Sequence, residues 1–185
     1  LWFAPEGVEP VDQLAFIDPG WKQYAAQEHN AVREGVALID QSSFSKFELV
    51  GPGALEALQR LAVSNMDKPV GSVIYTQLCN EHGGIEADLT ITRTGPDRFY
   101  IVTGSGFGVH DSDWIRRALP QDGSVYLSDV TSARAVINIC GPRAREVLQA
   151  VSEHDVSNAA FPFGTAQQII VGAAHVQAVR IGYVG

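Results

Sequence analysis

The chain has 185 residues, 45% hydrophobic and 18% charged, which is enough to bury the core of one or two compact domains. Thirteen Lys and Arg against 21 Asp and Glu leave a net charge of -8, a poor match for phosphate backbones or anionic lipid heads, so neither nucleic acid nor membrane is expected as a partner. Two cysteines, Cys79 and Cys140, make no disulfide framework and no zinc site; a reducing compartment is expected, the cytoplasm or, in a eukaryote, the mitochondrial matrix.

Residues 1–20 carry Pro5, Pro10, Pro19 and four acidic residues, and are predicted to form an extended arm pinned by Trp2, Phe3, Leu14 and Phe16. A domain is predicted over 21–185. It opens with a helix from Trp21 to Glu34, with Trp21, Ala25, Glu28 and Val32 along one side and Gly35 as its stop. Strands follow at Val36–Asp40 and Phe44–Val50, separated by a Ser-rich turn. Gly51-Pro52-Gly53-Ala54 opens a helix whose Leu55, Leu58, Leu61 and Ala62 form a buried stripe. After a loop to Gly71 comes a hairpin, then a strand at Arg98–Thr103, a flexible glycine loop at Gly104–Gly108 and a helix over Val109–Leu119. Strands at Val125–Val130 and Ala135–Cys140, a helix opened by Gly141-Pro142, and strand-like runs at Gln167–Val171 and Val176–Val184 complete the order.

The segment Gly51 to Gln59 matches Gly141 to Gln149 at Gly, Pro, Ala, Glu, Leu and Gln. Each copy follows a strand and precedes two more strand-like runs. The expected class is therefore α+β, helices packed on antiparallel sheets, in two related strand–helix–strand–strand halves.

Much familiar chemistry is absent. The Gly104–Gly108 run lacks the third glycine of a dinucleotide fingerprint, because Val109 stands in its place. No G-x-x-x-x-G-K-[ST] motif occurs, and Thr103 before Gly104 breaks a G-x-S-x-G elbow around Ser105. The five histidines lack metal-ligand spacing, so no metal is expected, and His110 beside Asp111 and Asp113 is expected to be a solvated helix start.

What remains is the hairpin from Tyr75 to Arg93, reversing at Glu81-His82-Gly83-Gly84. Period-two alternation places Ile85, Ala87, Leu89 and Ile91 on one face and Glu86, Asp88, Thr90 and Thr92 on the other. Asp88 and Thr90 would then stand side by side, with Tyr75 across from them. A strand carboxylate in such company accepts hydrogen bonds from ligand N–H groups or takes a proton from an amine, and Gly104 offers bare backbone to a flat ring.

Tyr75, Asn80-Glu81-His82-Gly83-Gly84-Ile85 and Asp88-Leu89 resemble the Asn-x-x-Gly-Gly-Ile-x-x-Asp segment of the aminomethyltransferase (glycine-cleavage T-protein) folate-binding domain family. Arg180 to Gly185 is similar to that family's Tyr-x-Gly-Glu segment up to its glutamate. Trp2-Phe3-Ala4-Pro5, Trp21, Glu28 and Asp40 to Lys46 look like the junction in dimethylglycine and sarcosine dehydrogenases, where a flavin-dependent half precedes the folate half. The resemblance implies tetrahydrofolate as the bound cofactor and Asp88 as the catalytic group that orients it. Tyr75, Thr90, Gly104 and Tyr183 would line the pocket, with Phe163 a further candidate.

The implied reaction passes a one-carbon unit from an N-methyl amine-derived iminium to tetrahydrofolate, giving 5,10-methylenetetrahydrofolate. The FAD belongs to an upstream half of the same polypeptide, so the chain is expected to be a piece of a longer protein and inactive alone. Ala87 stands where many T-proteins have a second aspartate, which fits the dehydrogenase branch. A glycine-cleavage-type aminomethyltransferase and a non-catalytic folate-binding or regulatory scaffold are the alternatives.

Overall fold

The computed structural model describes residues 2–182. Its elements are α1 (Lys22–Glu34), β1 (Ala37–Asp40), β2 (Ser45–Val50), α2 (Ala54–Leu61), β3 (Val73–Cys79), β4 (Ile85–Gly95), β5 (Arg98–Thr103), α3 (Gly108–Ala118), β6 (Tyr126–Asp129), β7 (Ile137–Cys140), α4 (Ala144–Ala150), β8 (Thr165–Val171) and β9 (Ala174–Arg180). All pairings among these strands are antiparallel, as expected for the α+β class.

The central sheet has the order β3-β4-β5-β2-β6, while β1 pairs with β7 and β8 with β9 in separate two-stranded ribbons. One face of the central sheet is apolar because its strands alternate. Phe47 and Leu49 of β2, Leu78 of β3, Ala87, Leu89 and Ile91 of β4, and Phe99 and Ile101 of β5 are all buried in one cluster. Ala54, Ala57 and Leu58 of α2 and Ile115 of α3 close that cluster. Burying a Leu, Ile or Phe side chain contributes about 1.5–3 kcal/mol, so this layer is where the fold is held. The opposite face of the sheet carries the polar half of each strand.

The two strand–helix–strand–strand halves are visible as β2-α2-β3-β4 and β7-α4-β8-β9. Their Gly-Pro junctions share one backbone device. Gly51 has φ +141 and Gly141 φ +111, and a Cβ on either would meet main chain: Ser124 O at 2.0 Å in the first, Gly35 O at 2.5 Å in the second. Glycine is needed where another segment's carbonyl passes that close at positive φ. The halves differ in what they pair with, since β3-β4 joins β5 and β2 whereas β8-β9 stays a separate ribbon.

The outer edge of β3 is occupied along its length. Val63 N donates to Gln77 O at 3.0 Å, the Ser64 hydroxyl to Tyr75 O at 3.4 Å, and Val73 N to Gly164 O at 2.8 Å. Isolated bridges Ala62–Leu78 and Ser72–Thr165 flank these bonds.

Several expectations are corrected. The N-terminal arm is held by Trp2, whose Nε1 donates to Asp12 at 2.7 Å and whose ring stacks on Tyr24 at 5.5 Å. Phe3, Leu14 and Phe16 are exposed and pin nothing. Gly104–Gly108 is not a loose loop, because residues Ser105–Phe107 form a 3-10 turn that runs directly into α3. The α2 stripe is Ala54, Ala57 and Leu58, with Leu55, Leu61 and Ala62 only partly covered. The last strand is Ala174–Arg180, with Ile181 and Gly182 outside it, and the end of the expected run at Val184 lies outside the described residues.

Candidate functional site

The hairpin forms because Asn80 organises its turn. The Asn80 Oδ1 accepts from His82 N at 3.0 Å and Gly84 N at 2.9 Å, while Gly83 supplies the positive φ of +78. Register then fixes neighbours on the polar face. Gln77 lies opposite Asp88, and Tyr75 opposite Thr90, which in turn faces Val102 of β5, itself opposite Lys46 of β2. The β4-β5 ladder stops at Thr90–Val102, two residues short of Asp88 on β4 and of Gly104 after the end of β5.

Asp88 is exposed on this face, and both its oxygens have protein neighbours. The Tyr75 hydroxyl donates to Oδ2 at 2.8 Å, and Gln77 Nε2 reaches Oδ1 at a weak 3.4 Å. The bond to Asp88 raises the Tyr75 phenol above its ordinary value, because it favours the protonated phenol beside a negative charge. The arrangement leaves Oδ1 as the freer acceptor, aimed from a rigid strand rather than a loop. Sequence reasoning placed Tyr75 across from the Asp88 and Thr90 pair, and it lies opposite Thr90, on the diagonal to Asp88. Gln77, directly across from Asp88, is the residue that reasoning missed although the alternation of β3 marks it.

Thr90 is half-buried on the same face, and Gly104 follows the end of β5. Gly104 has φ -62, so it is not required by backbone geometry. A Cβ there would press on the Phe107 ring at 3.1 Å, which accounts for a small residue and also keeps the main chain bare. Phe163 is exposed and bonds to no other candidate; Tyr183 lies outside the described residues. A groove of about 570 Å³ runs past Tyr75 and is lined also by Ser64, Asn65, Lys68, Ser72, Val73, Ile74 and Gly164; Tyr75 alone joins it to the Asp88 cluster.

Two features beside the site depart from the sequence reading. Glu86 does not share the Asp88 side chain's surroundings. The register shifts between Leu78 and Cys79, so that Ala87 pairs with Leu78 and Ile85 with Cys79, leaving Glu86 as the extra residue of a β-bulge. Its carboxylate accepts from Asn80 Nδ2 at 2.8 Å and approaches His110 Nε2 of α3 at 3.6 Å. The start of α3 is solvated only in part: His110 and Asp113 are exposed, but Asp111 is not. Asp111 is 1% exposed and accepts from the Thr103 hydroxyl at 2.6 Å, and its other oxygen meets His110 Nδ1 at 3.0 Å.

Lys46 is the other surprise, fully buried at the foot of β2. Its Nζ donates to Ser42 O at 2.7 Å and Phe44 O at 2.8 Å, and burial lowers its pKa. It has the form of a structural clasp on the Ser42–Phe44 turn. Among the described residues no group of three or more His, Cys, Asp or Glu is arranged to hold a metal ion.

The GCVT N-terminal domain model matches residues 1–185. The chain belongs to that family.

Curated relatives of this GCVT N-terminal domain include 4-methylaminobutanoate oxidase (formaldehyde-forming) of Paenarthrobacter nicotinovorans, 35% identical over 184 residues covering 100% of the chain and 22% of the relative. The mitochondrial pyruvate dehydrogenase phosphatase regulatory subunit of Mus musculus is 36% identical over 162 residues, covering 86% of the chain and 18% of the relative. Mitochondrial dimethylglycine dehydrogenase of Rattus norvegicus is 30% identical over 185 residues, 100% of the chain and 22% of the relative. The chain thus spans about a fifth of the length of these proteins. Among solved structures, the glycine cleavage system aminomethyltransferase T from Bartonella henselae superimposes with TM-score 0.67 at 24% identity, over 76% of this chain and 37% of that one, which shows a shared fold.

Proposed function

We propose that the Asp88 face binds tetrahydrofolate and serves the transfer of a one-carbon unit to it, within a larger N-methyl amine dehydrogenase whose flavin half precedes this domain. The observation that carries this reading is the Tyr75–Asp88 bond at 2.8 Å, which anchors Oδ2 and leaves Oδ1 with only a 3.4 Å neighbour. The relatives supply the direction of the chemistry. Two of them carry names of enzymes that act on N-methylated amines, and one of those names specifies formaldehyde, the one-carbon fragment such an oxidation releases.

The residues fit a flat, polar, amine-bearing group. Thr90 adds a hydroxyl beside the carboxylate, and the bare main chain at Gly104 lets a ring approach the sheet. Tetrahydrofolate supplies two amine nitrogens that take up the one-carbon unit as 5,10-methylenetetrahydrofolate. Asp88 would orient the ligand by accepting an N–H at Oδ1 and would serve as acceptor for a proton leaving that nitrogen. Tyr75 keeps the carboxylate in one rotamer while it does so.

For location we propose a reducing interior, which suits free Cys79 and Cys140. Among the described residues no helix is long and apolar enough to cross a membrane. The mouse relative, named a regulatory subunit, favours a second reading in which the same domain is a non-catalytic scaffold.

Calorimetric titration of tetrahydrofolate into the protein and its Asp88→Asn variant, with an assay of methylenetetrahydrofolate formation by the native-length polypeptide, separates the two. Saturable binding and product formation, both weakened by the substitution, support the transfer reading, whereas binding without product formation supports the scaffold. Absence of binding by the folded wild-type protein overturns it and leaves the scaffold.

A further inference from the structure

A chain of contacts runs around the back of the site. Asn80, which shapes the hairpin turn, donates to Glu86 at 2.8 Å; Glu86 meets His110 at 3.6 Å; His110 meets Asp111 at 3.0 Å; and Asp111 accepts from Thr103 at 2.6 Å, next to Gly104. The chain passes two residues from Asp88 at the bulge and ends one residue from Gly104. Its middle member is the only one on neither strand of the β4-β5 pair nor the hairpin turn together with a ring free to carry charge: His110 packs parallel to Trp114, 6.4 Å between centroids, on the first turn of α3.

We infer that His110 is a positioning residue, tying the Glu86 bulge to the end of β5 and so fixing where Asp88 stands relative to Gly104. The ladder between β4 and β5 has already stopped at Thr90–Val102, so no main-chain bond of that ladder does this work beyond Thr90. A bulge bends and twists its strand, and a carboxylate two residues along moves with it. Holding the bulge from the helix side is a direct way to hold Asp88 on the open side. The inference rests on the folate reading of that face.

The groups facing the ring are Asp111 and Asp113 of α3 and Glu86 of β4, all acidic. They raise the His110 pKa, the hydrogen bond to Asp111 most, against a smaller opposing effect of desolvation. A raised folded value means the imidazolium clasp is complete below the ordinary histidine range and is lost as pH rises through the folded value.

The test uses the polypeptide at its native length, with His110→Gln, Glu86→Gln and the double variant. Tetrahydrofolate dissociation constants are measured at about pH 6 and about pH 8, alongside hydrogen-exchange protection of amides 80–86 and, as a control, of amides 99–101 in β5. Wild type should bind roughly three- to tenfold more weakly at the higher pH. His110→Gln should bind weakly and equally at both, with Glu86→Gln adding no further loss.

Wild-type affinity and pH response in His110→Gln would overturn the inference while leaving the folate reading intact. Loss of protection in β5 as well as the hairpin would also overturn it, by showing a general structural role. If wild type binds no folate, yet hairpin protection falls with pH and His110→Gln abolishes that fall, the clasp stands and the folate reading is the one lost.

Discussion

Tyr75 reaches Asp88 along a diagonal of the β3-β4 pair: it is opposite Thr90 in register, yet its hydroxyl lies 2.8 Å from the Asp88 carboxylate. A long aromatic side chain spans the diagonal where a shorter one would not. The carboxylate is thereby fixed from one side and left open on the other.

That geometry makes Asp88 the residue whose loss separates two activities. In the full-length protein, Asp88→Asn should leave amine oxidation near wild type and lower one-carbon transfer to tetrahydrofolate by about 10²- to 10⁴-fold, the range for a positioned general base. Parallel assays of oxidation and of methylenetetrahydrofolate formation check this. Equal survival of both rates would remove Asp88 from the chemistry.

Tyr75 carries a pH signature of its own. Its phenol is raised by the bond to Asp88, so the contact is complete below the ordinary tyrosine range and is lost as pH rises through the elevated folded value. Ultraviolet titration of wild type minus Tyr75→Phe should show one tyrosine ionising above the usual range of about 10. In the Asp88→Asn background that transition should move down. Tyr75→Phe should also weaken folate binding by about tenfold, since an anchoring bond to a charged group is removed.

Lys46 is expected to matter for stability and not for chemistry. Truncation to Ala leaves the Ser42 and Phe44 carbonyls without their buried donor and should cost about 2 kcal/mol or more. A lowered urea midpoint with an unchanged slope would show it. Unaltered stability would mean that these carbonyls find water.

The paired junction glycines predict matched penalties. Gly51→Ala and Gly141→Ala each combine positive φ with a Cβ driven into main-chain carbonyls, and each should destabilise by about 2 kcal/mol or more. Thermal unfolding of both variants tests whether the two halves depend on the same device.

The order of helices and strands was legible because apolar periodicity is strong in the central sheet. Ala87, Leu89 and Ile91 alternate cleanly and are all buried. Asp88, Tyr75 and Thr90 could be placed on one face for the same reason. The bulge escaped notice because an extra residue leaves composition unchanged, and it alone turns Glu86 toward α3. Asp111 was misread because a helix start rich in acids usually meets water; here the Thr103 hydroxyl, eight residues back in sequence, is its partner. Lys46 escaped for the opposite reason. Lysine is rarely buried, and the carbonyls that justify it belong to a turn whose shape no periodicity reports.

The closed outer edge of β3 has a bearing on how this sheet behaves in company. A bare terminal strand offers its amides and carbonyls to any extended peptide, and sheets then grow from molecule to molecule. Here Val63, Ser64 and Gly164 already hold the bonds that such a visitor would need. Strand addition at this edge is thus blocked by the chain's own loops, on the very strand that carries Tyr75, and a ligand on the polar face can be served without that edge becoming a template.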